Sequence, residues 1–102
     1  SRVQLHDDLA RATRSADLVI ESIPEVLDTK RTLFAQLDQL APAHAILASN
    51  SSSIPISRIE SATRRPEKCV NLHFYQPAIG MTMTDVRVLE KHGGKSGSYV
   101  NP

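Results

Sequence analysis

The sequence predicts an α/β fold in which parallel strands form a sheet and helices cover its faces. Short apolar runs at 18–20, 45–48 and 69–72 are typical of parallel strands that are buried on both sides. A helix-periodic segment separates the first two runs, and a shorter one separates the last two. This strand–helix–strand–helix–strand order favours a parallel sheet, because parallel neighbours need a crossover connection.

The first elements are predicted from short apolar runs and a capping residue. Residues 3–5 alternate weakly, as in a strand, and a helix is expected to follow them as far as Arg14. Asp7 or Asp8 can cap that helix, because a carboxylate accepts hydrogen bonds from the free N–H groups of the first turn. Residues 16–21 are predicted to form the first buried strand.

The clearest helix is predicted between residues 27 and 40. Its apolar residues fall on one broad stripe, and its charged residues lie mostly outside that stripe. The members of the stripe are Leu27, Leu33, Phe34, Leu37 and Leu40. Pro42 is expected to end the helix, because proline lacks the N–H group that a further turn requires.

The second half of the chain repeats the alternation of strand and helix. Residues 45–48 are predicted as a second buried strand, and the polar run 49–53 follows it. A short helix is expected from about Pro55, with Ile56 and Ile59 facing inward. Two further strands are predicted, at 69–72 and at 81–89.

The composition of the 102 residues limits the classes of partner that the chain can serve. With a net charge of +1, the sequence indicates no nucleic-acid partner, and Arg64 and Arg65 are expected to be solvated. The single cysteine, Cys69, excludes an internal disulfide and is expected to be a small buried thiol. No membrane partner is predicted, because neither a run of roughly 20 apolar residues nor a signal peptide is recognisable.

Residues 90–102 differ in composition from the rest of the chain. They are rich in Gly, Ser and Lys and show no periodicity, so a disordered tail is predicted there. Gly94-Lys95-Ser96 superficially matches the end of a phosphate-binding loop. That motif needs a further glycine at position 89, which is Leu, so no phosphate-binding loop is predicted.

Three polar loops follow the predicted strands, at 21–25, 49–53 and 73–77. Ligands of parallel α/β sheets bind beyond the carboxyl ends of the strands, so these loops are candidate binding segments. His73 is a candidate general base, because a neutral imidazole can take a proton from an alcohol; a structural histidine is the alternative. The serine run could bind a substrate oxygen or merely cap the following helix.

Three charged residues near these loops have two possible roles. Glu25 and Lys30 flank the start of the clearest helix, where a surface ion pair is the alternative to ligand binding. Asp85 lies twelve residues after His73 and could orient its imidazole if the chain turns back between them. No pair of histidines has the spacing of metal ligands.

The order and spacing of three motifs resemble those of a known family. The segment ADLVIESIPE (16–25), followed by Lys30 and by LFAQLD (33–38), is similar to the later half of the NAD-binding domain of L-3-hydroxyacyl-CoA dehydrogenases. ILASNSSS (46–53) resembles that family's S-N-T-S-S segment, and LHFYQP (72–77) resembles its L-H-F-F-N-P segment. Three motifs in the right order, within a resemblance that spans residues 2–86, are much more specific than one.

The resemblance implies a partial Rossmann-like, doubly wound parallel sheet that lacks the first βαβ unit. Residues 1–89 would be the C-terminal half of the NAD-binding domain, because no G-x-G-x-x-G turn follows a first strand. The implied activity is oxidation of the 3-hydroxyl group of an acyl-CoA by hydride transfer to NAD, in fatty-acid β-oxidation or related acyl-CoA metabolism. The chain alone is expected to be inactive, and the intact parent to be a homodimer in the bacterial cytoplasm or an organelle matrix.

The resemblance also assigns roles to individual residues. His73 would be the catalytic base that removes the proton of the 3-hydroxyl group. Ser52 would bind the substrate oxygen and lie close to the nicotinamide. Glu25 and Lys30 match positions that contact the cofactor.

Two positions depart from the family pattern. Gln76 stands where the family usually has Asn beside the cofactor, and Asp85 stands where it usually has the Glu that orients the catalytic histidine. The Asp85 side chain is shorter than that of Glu, and a displacement of a catalytic group by about 1 Å can lower a rate about a hundredfold. Two alternatives therefore stay open: a catalytically silent α/β domain for binding or assembly, and a dehydrogenase of another hydroxy acid in the same superfamily.

Overall fold

The computed structural model describes residues 3–6, 8–72, 85–90 and 95–100, with side chains described for residues 8–72. In these ranges the strands are β1 (Val3–His6), β2 (Leu18–Ser22), β3 (Ile46–Ser49), β4 (Cys69–Asn71), β5 (Asp85–Glu90) and β6 (Lys95–Val100). The α-helices are α1 (Leu9–Thr13) and α2 (Leu27–Leu40), and neither is long and apolar enough to cross a membrane.

The six described strands form one sheet in the order β1-β6-β5-β2-β3-β4. Strands β2, β3 and β4 are parallel, with Leu18 opposite Ile46 and Leu47 opposite Cys69. The predicted α/β fold with parallel strands is confirmed by this half of the sheet. Strand β5 is antiparallel to both of its neighbours, which is a common addition to an otherwise parallel sheet.

Strand β6 corrects the prediction of a disordered tail at residues 95–100. It pairs with β5 on one side and with β1 on the other, so its backbone groups have partners along both edges. Residues 95–98 are Lys, Ser, Gly and Ser and show no apolar alternation in sequence, so the backbone pairing of this strand has no sequence signal. The proposed division of the chain after residue 89 stays a prediction.

Helix α1 begins at the predicted cap. The carboxylate of Asp8 accepts a hydrogen bond from the backbone N–H of Ala10 at 3.0 Å, which confirms one of the two predicted capping residues. The helix ends at Thr13, one residue earlier than expected, and Arg14 is its C-cap residue.

Helix α2 packs most of its predicted apolar stripe against one face of the parallel strands, whereas Leu40 at its end is exposed. Leu33, Phe34 and Leu37 are buried and belong to the same apolar cluster as Val19 and Leu47. The helix ends at Leu40, and the backbone N–H of the next residue still donates to the carbonyl oxygen of Leu37 at 2.9 Å. The predicted helix and its stop before Pro42 are therefore confirmed.

The predicted short helix near Pro55 is a series of 3-10 helices at Ile56–Arg58, Glu60–Ala62 and Pro66–Lys68. Ile59 is fully buried and Ile56 packs partly buried against the same core, as the sequence predicted. Cys69 is also buried, and this burial raises the pKa of its thiol.

Arg65 corrects the prediction that both arginines at 64–65 are solvated. The Arg64 side chain is 84% exposed, whereas the Arg65 side chain is only 9% exposed. The Arg65 guanidinium donates to the carboxylate of Asp38 at 2.7 Å. It also donates to four backbone carbonyl oxygens at the end of α2 and just beyond, those of Asp38, Ala41, Pro42 and Ala45. It therefore closes the helix end, where carbonyl groups lack partners within the helix.

Candidate active site

The loops that follow β2 and β3 lie side by side at the carboxyl edge of the parallel strands. Glu21 is opposite Ser49 in the register of these strands. The backbone N–H of Asn50 donates to the carbonyl oxygen of Glu21 at 2.9 Å, and its side-chain amide donates to the hydroxyl of Ser22 at 3.3 Å. The sequence predicted this neighbourhood, because adjacent parallel strands end at the same edge.

A buried ion pair lies directly behind these two loops. The ammonium group of Lys30 contacts both carboxylate oxygens of Glu21, at 2.8 and 2.9 Å, and both residues are 0% exposed. It also donates to the carbonyl oxygen of Ile23 at 3.1 Å and contacts Glu25 Oε1 at 3.1 Å. Helix α2 thus places a cation between the carboxylate of Glu21 in β2 and that of Glu25 in the following loop.

Glu25 joins this ion pair to the serine loop. Its Oε2 atom accepts hydrogen bonds from the hydroxyl groups of Ser51 and Ser53, each at 2.6 Å. Partial burial alone raises the pKa of Glu25. The hydrogen bonds from both serines and the nearby Lys30 ammonium outweigh burial and lower the pKa to about 2. Glu25 is therefore a carboxylate anion at every physiological pH.

Within the described residues, the hydroxyl groups of Ser49, Ser51 and Ser53 form hydrogen bonds, whereas that of Ser52 does not. The Ser49 hydroxyl donates to Glu21 Oε2 and also accepts the backbone N–H of Ser51 at 3.2 Å. The Ser51 hydroxyl also accepts the backbone N–H of Ile54 at 2.8 Å. Ser52 is exposed, and its hydroxyl has no hydrogen bond to the part of the chain that the structure describes. Its neighbours Ser51 and Ser53 hold the loop through Glu25, and a contact between Ser52 and a ligand stays a prediction.

Lys30 is not the surface residue that one alternative expected. It does form an ion pair with Glu25, but its ammonium group is fully buried. An ammonium group has three N–H donors, and four acceptor atoms lie within 3.1 Å of Lys30 Nζ. Its donors are therefore filled by the protein, and a direct contact between Lys30 and the cofactor stays a prediction.

Three predicted site residues lie at or beyond the limits of the described structure. His73 and Gln76 lie outside the described residues. The backbone of Asp85 begins β5 opposite Ser22, at the same edge of the sheet as the serine loop. Strands β2 and β3 separate β5 from β4, a span of about 14 Å at three strand spacings. The predicted contact between Asp85 and His73 depends on residues 73–84 and stays a prediction.

Two residues at the centre of the network were not singled out from the sequence. Glu21 and Ser49 were named only as the first residues of two candidate loops, although each is fully buried. A usable signal was present, because a charge at the end of an aliphatic buried strand needs a counter-charge nearby. Lys30 on the next helix was the available partner. Across the described ranges, no group of three His, Cys, Asp or Glu residues could hold a metal ion.

Comparison with known proteins places these features in a family context. Residues 1–92 match the family model described as 3-hydroxyacyl-CoA dehydrogenase, NAD binding domain. Over 86 residues, 84% of this chain, the sequence is 40% identical to a probable 3-hydroxybutyryl-CoA dehydrogenase of Bacillus subtilis and 41% identical to the mitochondrial hydroxyacyl-coenzyme A dehydrogenase of Homo sapiens. The match covers 30% of the first relative and 27% of the second, so the chain spans less than a third of their length.

Two solved structures extend the likeness to the backbone. A 3-hydroxybutyryl-CoA dehydrogenase from Escherichia coli K12 is similar with a TM-score of 0.67 and 42% identity, over 72% of this chain and 16% of that chain. A diketoreductase is similar with a TM-score of 0.69 and 46% identity, over 72% of this chain and 26% of that chain. Both likenesses therefore join sequence identity with a shared arrangement of strands and helices.

Proposed function

The chain belongs to the NAD-binding domain family of 3-hydroxyacyl-CoA dehydrogenases, and on that premise we propose that it forms the nicotinamide side of such an enzyme's active site. The reaction is oxidation of the 3-hydroxyl group of an acyl-CoA, with hydride transfer to NAD, in fatty-acid β-oxidation or related acyl-CoA metabolism. One observation carries this proposal: Ser52 is exposed at the carboxyl edge of the sheet, and its hydroxyl bonds to none of the described residues, on a loop that Ser51 holds.

The residues at this edge suit the nicotinamide end of NAD. Oxidised nicotinamide is a cation with a carboxamide, and the nearby Glu25 carboxylate stays ionised because its pKa is about 2. The Ser52 hydroxyl can donate to a carbonyl oxygen or accept from a hydroxyl group. When bound, NAD supplies the acceptor for the hydride that leaves the carbon bearing the substrate hydroxyl group.

The remaining site residues take the roles that the resemblance implied. His73 takes the proton of the 3-hydroxyl group, and Ser52 binds the oxygen that loses it. Asp85 orients His73, and Gln76 lies beside the cofactor. Lys30 serves the cofactor side by holding Glu25, since its own donors are filled within the protein.

The names of the relatives support a proposal for the substrate and the cellular location of the whole protein. Relatives named for 3-hydroxybutyryl-CoA and hydroxyacyl-coenzyme A support an acyl-CoA as the substrate. In this proposal the intact parent enzyme is a homodimer. It lies in the bacterial cytoplasm or in an organelle matrix; the human relative is named as a mitochondrial enzyme. The chain alone is inactive, because the glycine-rich turn that binds the pyrophosphate is not in this sequence.

Binding of the nicotinamide half of the cofactor tests the proposal on the 102-residue chain itself. Nicotinamide mononucleotide is titrated into the labelled chain to millimolar concentration, and backbone amide shifts are followed by NMR. We expect saturable shifts at residues 50–54 and at Glu25. Replacement of Ser52 by alanine is expected to weaken binding about fivefold to tenfold, the size of one hydrogen bond.

Ser57→Ala is the matched control. Ser57 is also exposed, and its side chain makes no hydrogen bond within the described residues, so this change should leave binding unchanged. Equal weakening by the two substitutions, or shifts spread evenly over the surface, would contradict the proposed site. NADH-linked reduction of acetoacetyl-CoA by the isolated chain would contradict the expected inactivity.

A further inference from the structure

Glu21 is a fully buried carboxylate that contacts Ser49 directly and is connected to Glu25 through Lys30. We propose that Glu21 is a positioning residue, which fixes the loop at residues 49–54 so that Ser52 presents its hydroxyl to the ligand. The inference deepens the proposed function and rests on it for the identity of the ligand. The positioning itself can be measured without any ligand.

One path of contacts runs from Glu21 along the start of the loop. Glu21 Oε2 accepts the hydroxyl of Ser49, and the same Ser49 oxygen accepts the backbone N–H of Ser51 at 3.2 Å. The Ser51 hydroxyl in turn accepts the backbone N–H of Ile54 at 2.8 Å. These bonds fix the backbone immediately before Ser52 and two residues after it.

A second path reaches the same loop through the ion pair. Lys30 bridges Glu21 to Glu25, and Glu25 accepts both serine hydroxyls that flank Ser52. The backbone N–H of Ser53 also donates to Glu25 Oε2 at 3.2 Å. The two paths meet at Ser51. The loop is therefore held both by Ser49 at the end of β3 and by Glu25, which is bound to Lys30 of α2.

The charge of Glu21 is what leaves Glu25 available to the loop. Lys30 is 0% exposed and needs a nearby counter-charge, because an unpaired buried cation is strongly unfavourable. Both oxygens of Glu21 supply it. Without Glu21, the partly exposed Glu25 would be the remaining carboxylate on Lys30, and it would be drawn away from the two serines.

Replacing both members of the ion pair separates positioning from stability. Glu21→Leu with Lys30→Met removes the two charges together, which in general is far less damaging than removal of one. The matched control, Asp38→Leu with Arg65→Met, removes the buried ion pair at the other end of the same helix. Amide hydrogen exchange is then measured at Ser51 and Ile54 and compared with that of the core residue Leu37 in each variant.

We expect the protection of Ser51 and Ile54, relative to Leu37, to fall about tenfold in the Glu21/Lys30 variant. The same ratio should be unchanged in the Asp38/Arg65 variant. A ratio unchanged in both would overturn the proposal and leave Glu21 as a structural counter-charge alone. If the first variant does not fold, the Ser49→Ala variant tests the proposal instead, because it removes the first path of contacts and keeps the ion pair. Unchanged protection of Ser51 in the Ser49→Ala variant would also overturn the proposal.

The nicotinamide mononucleotide titration distinguishes this proposal from the proposed function. Loss of the Ser52 amide shift in the Glu21/Lys30 variant, with the shift kept in the control, supports both. A ligand that causes no shift in the unsubstituted chain contradicts the proposed function, while the exchange ratio still decides whether Glu21 positions the loop.

Discussion

Replacement of Arg65 by alanine is expected to destabilise the fold far more than the same change at Arg64, although both arginines contact Asp38. The Arg65 side chain is 9% exposed and lies 2.7 Å from the carboxylate, whereas the Arg64 side chain is 84% exposed at 3.4 Å. Removal of Arg65 leaves a buried carboxylate without its main partner. It also removes the donor from four backbone carbonyl groups around the end of α2.

The two losses differ in size because burial sets the strength of each ion pair. Breaking a buried pair from one side lowers the free energy of unfolding by about 3–5 kcal/mol. An exposed pair contributes at most about 1 kcal/mol. A total stability of roughly 5–15 kcal/mol means that Arg65→Ala removes a large share of it.

Urea unfolding followed by far-ultraviolet circular dichroism measures both effects near neutral pH. With a slope of about 1–2 kcal/mol/M, the midpoint should fall by about 2–4 M for Arg65→Ala and by less than about 1 M for Arg64→Ala. Midpoints within about 0.5 M of each other would refute the reasoning, since they would show that burial does not distinguish the two arginines. Adding Asp38→Leu to Arg65→Met should recover part of the loss, because no unpaired charge then remains.

Two further predictions concern pH and the first helix. The folded-state pKa of Glu25, about 2, lies below its ordinary value of 4.5, so its contacts stabilise the fold above pH 4.5 and this contribution disappears as the pH falls toward 2. Urea midpoints between these pH values should fall less in Glu25→Gln than in the unsubstituted chain, and parallel curves would contradict the assignment. Asp8→Ala removes the α1 cap and should lower the free energy of unfolding by about 1 kcal/mol. An unchanged urea midpoint would show that the cap contributes nothing.

Much of the fold could be predicted because its signals are local. The stripe on α2 has the period of a helix, Pro42 ends it, and Asp8 begins α1 as a cap. The aliphatic runs of β2 and β3 have the composition of strands covered on both faces. The region near Pro55 was predicted as one helix and forms 3-10 turns, since short segments have too few residues to show which helical period they follow.

Without the family resemblance, the site could be predicted only as a place and a set of residue types. The serine loop was expected at the edge of the sheet, where it lies, but the sequence could not say which hydroxyl is free. That division depends on Glu25 and Glu21, which approach the loop from a different segment of the chain. The roles of His73, Gln76 and Asp85 remain predictions.

The sequence by itself determined the α/β class, the parallel strands β2 to β4, the extent of α2 and the edge at which the polar loops after β2 and β3 meet. Hydrophobic period, proline and capping chemistry act over a few residues and can be read directly from the chain. Tertiary structure alone decided that Lys30 and Arg65 are buried and that residues 95–100 form β6. Burial of a charge depends on partners up to 27 residues away, and pairing of a strand depends on backbone groups that every residue shares.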